Sequence, residues 1–384
     1  MRISWRDAGL FLLIYACWIT CSVGQLMKYF HSAAVVLILA GAIAIALVLA
    51  LARRMQLRSA GSLHWGWFAA YLGLLTALYL VLYPIANQHI VGVGSDRENA
   101  LVVADRQMVH LEYPYSVPSY LGNPISVLPG GLMLALPFYL MGRVSIQNIL
   151  WLAALVVFCV KFFRQRTTAM AYLVVLILGS AGVLDDIVGG GDLAINTIYV
   201  CIGICVFLWT FDKNPNGWQH YAVGVFLGFA LSSRVIFIVI PPLLLAYLLQ
   251  HGKRSAAIKS IAVPTIVALG VTLPFYLYDP AGFSPLEVAH KLDNTGLPAE
   301  IIQPLVVILP VLGILAACAG FFVRLTIARV NLIAGLAVAT IAFPPIGVFQ
   351  LLGGDAEYLS YNQISSVFLM LWALDLFERA QSRS

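Results

Sequence analysis

Two carboxylates, Asp96 and Glu98, flank Arg97 in the short segment Gly94 to Asn99, GSDREN. The segment follows a hydrophobic stretch in a chain that is 61% hydrophobic and only 10% charged. An ionised group near hydrocarbon costs free energy, roughly 2.5–3.5 kcal/mol at a helix centre, so charge beside a bilayer tends to mark chemistry or a pathway. A carboxylate in that position can accept the proton of an attacking hydroxyl, and general-base help of this kind gives ~10²–10⁴-fold in rate. Asp96 is therefore the expected catalytic base, and on a turn leaving the membrane Glu98 can face the same cavity. The structural alternative is a helix start: Ser95 or Asp96 suits an N-cap, and Glu98 suits a first turn near the positive helix end.

Three cations are placed to hold a phosphate: Arg97, Arg234 and Lys291. Arginine stays charged and pairs with phosphate oxygens in a bidentate fashion. Arg234 is the sharpest of them, because it lies between two hydrophobic stretches; the alternative is an arginine that snorkels to an interface. Tyr113, Tyr115 and Tyr120 read either as a wall for a sugar or lipid headgroup or as an aromatic belt. Asn123 before Pro124 is a cap-and-start signal that also offers a binding amide. Asp185, Asp186 and Asp192 surround a triple glycine, where oxygen ligands for a divalent cation or a solvated turn are both readable; Asp185 and Asp186 are carried forward as substrate-binding candidates. The histidines show no metal spacing, and HExxH, P-loop and dinucleotide-fold motifs are absent. No cofactor and no metal are expected.

These residues must be held by membrane helices. A span needs about 20 mainly apolar residues, and such stretches recur throughout. The clearest are Ala8–Val23, Ala33–Leu51, Trp67–Ile85, Ile149–Phe163, Met170–Leu184, Thr197–Phe211, Val235–Leu249, Ile261–Leu277, Leu305–Val323, Leu332–Phe349 and Ile364–Leu376, with Tyr221–Leu231 shorter and ambiguous. Met1–Cys21 begins like a signal peptide but lacks a convincing small-x-small cleavage pattern, so it is read as the first span. The expected fold is an all-α polytopic bundle of about 12 transmembrane helices forming one domain over residues 1–384. All six cysteines fall in predicted spans and read as packing residues.

Lysine and arginine set the orientation. With the N-terminus cytoplasmic, 16 basic residues fall inside and 6 outside, provided Pro124–Met141 lies on the outer surface and does not cross. The acidic residues, unused in that assignment, segregate the other way, 13 outside and 4 inside. Both termini are then cytoplasmic, and the outer face holds the polar machinery. The modest net charge of +5 is positive-inside trim and does not point to nucleic acid. The longest outer loop runs from about 86 to 146. Its aliphatic spacing predicts an amphipathic helix over Glu98–Leu111, then an extended Tyr-Pro-Tyr stretch, then a surface helix from Pro124.

This layout resembles the GT-C superfamily of integral membrane glycosyltransferases that use polyprenyl-phosphate sugars, which includes mannosyl- and arabinosyltransferase-like bacterial proteins. The matching pieces are GSDREN at Gly94–Asn99, EYPYSVPSYLGNP at Glu112–Pro124 and LPGGLMLALPFYLMG at Leu128–Gly142. The resemblance places the family's catalytic carboxylate on Asp96, implies that Glu98 and the loop aromatics bind and position a sugar substrate, and implies loop helices parallel to the membrane. It implies a polyprenyl-phosphate-linked sugar as donor, an acceptor hydroxyl on a glycan, lipid or protein, inversion at the anomeric carbon and a bacterial plasma membrane. Members of the family usually carry one span before the acidic loop, and this chain has three. A different class also fits a twelve-span chain, a transporter or lipid flippase, although such proteins usually carry charges near the midplane in two related halves.

Overall fold

The computed structural model describes residues 5–57, 63–88, 95–287, 299–351 and 356–381. Every regular element among them is helical. Among the described residues, six helical stretches are long and apolar enough to cross a membrane, or seven if one bent pair counts as a span. The chain is thus an α-helical polytopic membrane protein, with six or seven such stretches where the sequence suggests twelve spans. Part of the difference is local. Ala8–Arg54 counts as one stretch of 47 residues, about 70 Å at 1.5 Å per residue. It contains two helices, α1 (Trp5–Phe30) and α2 (Ala34–Leu57), joined by a 3₁₀ turn. The Trp18 ring lies where a β-carbon at Gly41 would stand, so the two helices fold back on each other.

The packing divides the chain into two compact units, each discontinuous in sequence. One comprises residues 1–94, 148–189 and 355–384, the other 95–147 and 190–354.

In the first unit, α1, α2 and α3 (Trp65–Ala86) accompany α6 (Ile146–Phe162) from Asn148 onward, α7 (Arg166–Leu173), α8 (Ala181–Val188) and α15 (Gln363–Gln381). The stretch predicted as the span Met170–Leu184 is broken. α7 widens into a π turn over Val174–Leu178, and the chain bends by 71° before α8. Where the turn widens, the Leu173 carbonyl accepts a hydrogen bond from Tyr71 Oη at 2.7 Å. The buried Glu378 carboxylate accepts from the Arg164 and Gln165 amides and so caps the start of α7.

The second unit is built around α9 (Leu193–Lys213), the most deeply buried of the long helices. Around it stand α10 (Trp218–Leu231), α11 (Ile240–His251), α12 (Arg254–Tyr278), α13 (Ala299–Cys318) and α14 (Ile327–Leu351), with α4 (Arg97–Val109) and α5 (Pro129–Leu140) at one end. Cys201 and Cys205 do more than fill space, because their sulfurs bracket the amide of buried Asn331 at 3.4 and 3.3 Å. At one end of this unit Gln250 binds the Gly320 and Val323 carbonyls and the Leu325 amide, fastening the turn between α13 and α14. Lys213, Lys253, Arg254, Arg324 and Arg329 occupy the helix ends and turns on that side. The acidic helix ends gather at the other: Asp192 before α9 pairs with Arg234 after α10, and the loop after α4 bonds the backbone at Asp279 after α12. Within this unit these basic turns and these acidic helix ends therefore lie at opposite ends of the helices.

Candidate functional site

α4 begins immediately after Asp96, but the Asp96 side chain does not cap it. Its carboxylate turns toward the loop that follows α4. Oδ2 accepts hydrogen bonds from Ser119 Oγ and from Asn123 Nδ2, the latter at 2.8 Å. Both bonds fall on one oxygen, and among the described residues none falls on Oδ1. The loop is tied to the helix a second time, where Asn99 Oδ1 accepts from the Tyr120 amide at 2.9 Å. A tight turn closes the arrangement: Gly122 N donates to Ser119 O, with Gly122 at φ +78°, which glycine adopts without strain. Burial, and then the nearby Asp96 charge, push the Tyr120 hydroxyl above its ordinary pKa. Asp96 and Asn123, 27 residues apart in sequence, thus form one cluster.

Glu98 points elsewhere. It accepts from the Ser145 amide at 3.3 Å and lies over Gly190, where a β-carbon would overlap its Oε2. Arg97 is partly buried beside it at the first position of α4.

Arg234 is positioned by two helix ends that satisfy each other. α5 starts with Pro129-Gly130-Gly131, and a side chain at Gly130 would meet the Phe229 and Ser232 carbonyls. That close approach lets Leu128 N donate to Ser233 O and Gly131 N to Ser232 O, so the free amides of one helix start meet the free carbonyls of another helix end. Arg234 follows directly. One terminal nitrogen, Nη2, contacts both oxygens of Asp192 at 2.5 and 2.6 Å, and the other donates to Ser126 Oγ at 2.8 Å. Asp192 is 1% exposed and Arg234 13%, so the pair is a buried ion pair extended through Asn196 to Tyr199. The structure thus brings Arg234 to Asp192 and Ser126.

Tyr113 and Tyr115 are held by the core. Tyr115 Oη donates to Val127 O, and its ring packs edge-on against Phe283. Tyr113 Oη donates to the Phe275 and Asp279 carbonyls, and burial with the Asp279 charge pushes its hydroxyl up to about 12. An open cleft of about 330 Å³ lies along this loop, lined by Tyr115, Pro118, Gly122, Pro124, Gly282, Ser284 and Glu287. Asp96 is not in its lining; it holds the two residues, Ser119 and Asn123, that flank Gly122.

Asp185 and Asp186 belong to the other unit and lie in helix α8, where the sequence suggested a loop. Asp185 accepts from Tyr29 Oη at 3.1 Å, and Asp186 is buried. Lys291 lies outside the described residues. Among the described residues no three His, Cys, Asp or Glu side chains converge as a metal site.

Sequence reasoning missed Ser119, Ser126 and the role of Asp192, which nothing local distinguishes from other loop polar residues. It also missed Asp105. Leu101, Ala104, Asp105 and Met108 follow helical spacing, so the pattern does place Asp105 on the apolar face. It is fully buried, neither carboxylate oxygen has a partner among the described residues, and burial pushes its pKa up to about 8. The predicted helix Glu98–Leu111 corresponds to α4, but Leu111 falls beyond its end, 95% exposed and at φ +59°. Comparison with protein-family models, with curated proteins and with solved structures returns no match to this chain.

Proposed function

We propose that this protein is an inverting membrane glycosyltransferase that moves a sugar from a polyprenyl-phosphate donor to an acceptor hydroxyl, with Asp96 as the general base. The observation that carries the reading is the Asp96 carboxylate: partly buried, anchored through Oδ2 by two neutral donors, with Oδ1 unengaged among the described residues. A base fixed by neutral donors keeps its geometry without a cation to quench it, which suits proton abstraction. In the reaction the acceptor O–H gives its proton to Asp96 as its oxygen bonds the anomeric carbon. The bond from that carbon to the phosphate oxygen breaks, and the polyprenyl phosphate leaves as the anion. Arg97 is the nearest candidate cation in sequence to meet that charge. Arg234 serves differently from the sequence expectation: with Asp192 neutralising it, its part is to hold Ser126 and the segment that leads from Asn123 to α5.

Under this reading the acidic helix ends of the second unit face outward, α4 and α5 lie along the outer surface of a bacterial plasma membrane, and both termini are cytoplasmic in a chain crossing about twelve times. The acceptor is a glycan, lipid or protein hydroxyl.

The test is transfer by purified protein in vesicles supplied with labelled polyprenyl-phosphate sugars and hydroxyl acceptors. Asp96→Asn is the informative variant, because its side-chain oxygen still accepts from Ser119 and Asn123 while losing basicity. Loss of transfer in a normally folded Asp96→Asn protein supports the reading. Unchanged transfer removes Asp96 as the base, and solute movement with no new glycosidic bond replaces the enzyme with a transporter.

A further inference from the structure

The first unit contains a group of buried amides that the proposed chemistry does not use. Gln25 is 5% exposed, and Asn362 and Gln363 are 0% exposed. Among the described residues, the Gln25 carbonyl oxygen and both polar atoms of Asn362 and of Gln363 have no hydrogen-bond partner. Burying an amide unpaired is costly, and buried polar groups are nearly always satisfied by protein or by a bound molecule.

These residues converge on the break between the π turn and α8. Ser366 of α15 lies against Cys17 and Cys21, and Ser360, six residues earlier, lies beside the Cys21 carbonyl where Gly182 packs, so the chain leading into α15 runs opposite to α1 there. Ser366 Oγ meets Cys21 Sγ at 3.2 Å and donates to the carbonyls of Cys17 and, at 2.9 Å, of Asn362. One turn further along α1 from Cys21 is Gln25; one turn back from Ser366, at the residue just before α15, is Asn362. The antiparallel packing therefore sets the two amides at the same level. The break itself is docked onto α1. Trp18 Nε1 donates to the Gly179 carbonyl, the Ala181 amide donates to Ser22 Oγ at 3.2 Å, and a side chain at Gly182 would meet the Cys21 carbonyl. Ser22 and Gln25 are three residues apart, so Gln25 shares the helix face that meets the break. Gln363 lies one turn before Val367, whose carbonyl accepts from Tyr172 Oη of α7, which puts it beside the π turn.

Backbone groups at the break are thus matched by α1, while the amides around it are not. The unmatched atoms are a mixture: three carbonyl oxygens that accept and two amide nitrogens that donate. A hydroxyl both donates and accepts, so it satisfies both kinds. An anion could use only the nitrogens, and a cation only the oxygens. Irregular backbone at membrane depth occurs where it is packed in protein or lines a polar cavity, and π turns are frequent at functional sites.

We propose that Gln25, Asn362 and Gln363, with Ser366 behind them, form a binding site for neutral hydroxyl groups, supplied either by water molecules or by the sugar headgroup of a glycolipid. The site lies wholly in the first unit and stands independently of the role assigned to Asp96.

Cys21 is a built-in reporter, since it is 0% exposed but touches Ser366. Radiolytic hydroxyl-radical labelling modifies buried side chains that adjoin bound water. The full-length protein in phosphatidylcholine nanodiscs, with and without a glucosyl-diacylglycerol, is compared at Cys21 and at Cys159, which is equally buried. Rapid labelling of Cys21 relative to Cys159, unchanged by the glycolipid, identifies water as the occupant. Protection of Cys21 by the glycolipid, with a rise in melting temperature of a few degrees that Gln363→Met abolishes, identifies the sugar headgroup. In both cases Gln363→Met and Gln25→Met, which remove hydrogen bonds at nearly constant volume, lower the melting temperature. Labelling of Cys21 as slow as that of Cys159, together with methionine variants as stable as or more stable than the native protein, means that the amides are dry and overturns the proposal.

Discussion

The Asp96 carboxylate accepts a 2.8 Å hydrogen bond from the Asn123 amide, joining the start of α4 to a loop 27 residues further along the chain. The bond places Asn123 as a positioning residue for the proposed base. Asn123→Ala removes one of two donors to Oδ2 and leaves Ser119. A displacement near 1 Å at a reacting group costs up to about 10²-fold in rate, so Asn123→Ala is expected to lower kcat well below native but above the level of Asp96→Asn, with donor KM little changed. Steady-state transfer kinetics on the two variants check the order.

Arg234 and Asp192 are a mostly buried pair, so each depends on the other. Arg234→Ala leaves the Asp192 charge uncompensated, and breaking one side of such a pair costs about 3–5 kcal/mol. The double variant Arg234→Ala/Asp192→Ala is expected to be more stable than Arg234→Ala alone. Thermal unfolding of the three proteins in one detergent measures this; a double variant no better than the single would show that the pair is not coupled.

Asp105 makes stability depend on pH. Its pKa, about 8 in the fold, lies above the ordinary carboxylate value. Between those two values the folded protein holds a proton that the unfolded chain has released, so stability falls as pH rises through this window and levels off above it. Asp105→Asn should flatten that dependence. Asp105→Leu also removes two unpaired buried oxygens and is expected to gain about 1–3 kcal/mol at neutral pH. Melting temperatures at acidic, neutral and alkaline pH test both statements.

Gly190 sits at φ +76° under the Glu98 carboxylate. Gly190→Ala brings a left-handed backbone penalty of about 1–2 kcal/mol and a clash with Glu98. In a Glu98→Ala background that clash disappears, leaving the backbone penalty and a tight 3.1 Å approach to Ser145 Cβ that is common to both backgrounds. The difference between the two backgrounds, read from unfolding, isolates the contact between Glu98 and the turn.

The proposed orientation predicts opposite labelling at the two ends of the second unit. In a Cys318→Ala background, Tyr120→Cys should react with a membrane-impermeant maleimide on intact cells, and Lys253→Cys only after the cells are opened. The reverse pattern would invert the topology and place Asp96 in the cytoplasm.

The amino-acid order by itself specified that the chain is built of apolar helices of membrane-spanning length. Long apolar runs bounded by basic turns could form little else in a bilayer, because a backbone in hydrocarbon must satisfy its own hydrogen bonds. The spacing of Leu101, Val102 and Met108 likewise marked α4 to within two residues of its observed end. It did not reveal that Met170–Leu184 breaks at a π turn, since the break is stabilised by Tyr71, Trp18 and Ser22 from distant segments. Nor could it choose among the charged residues near the outer loop. Asp96 and Arg234 both looked available, yet one is held by neutral donors with an oxygen unengaged among the described residues, and the other is occupied by a carboxylate. That distinction rests on contacts between residues 27 and 42 positions apart. Local periodicity carries no information at that range, and only the folded chain brings such groups within hydrogen-bonding distance.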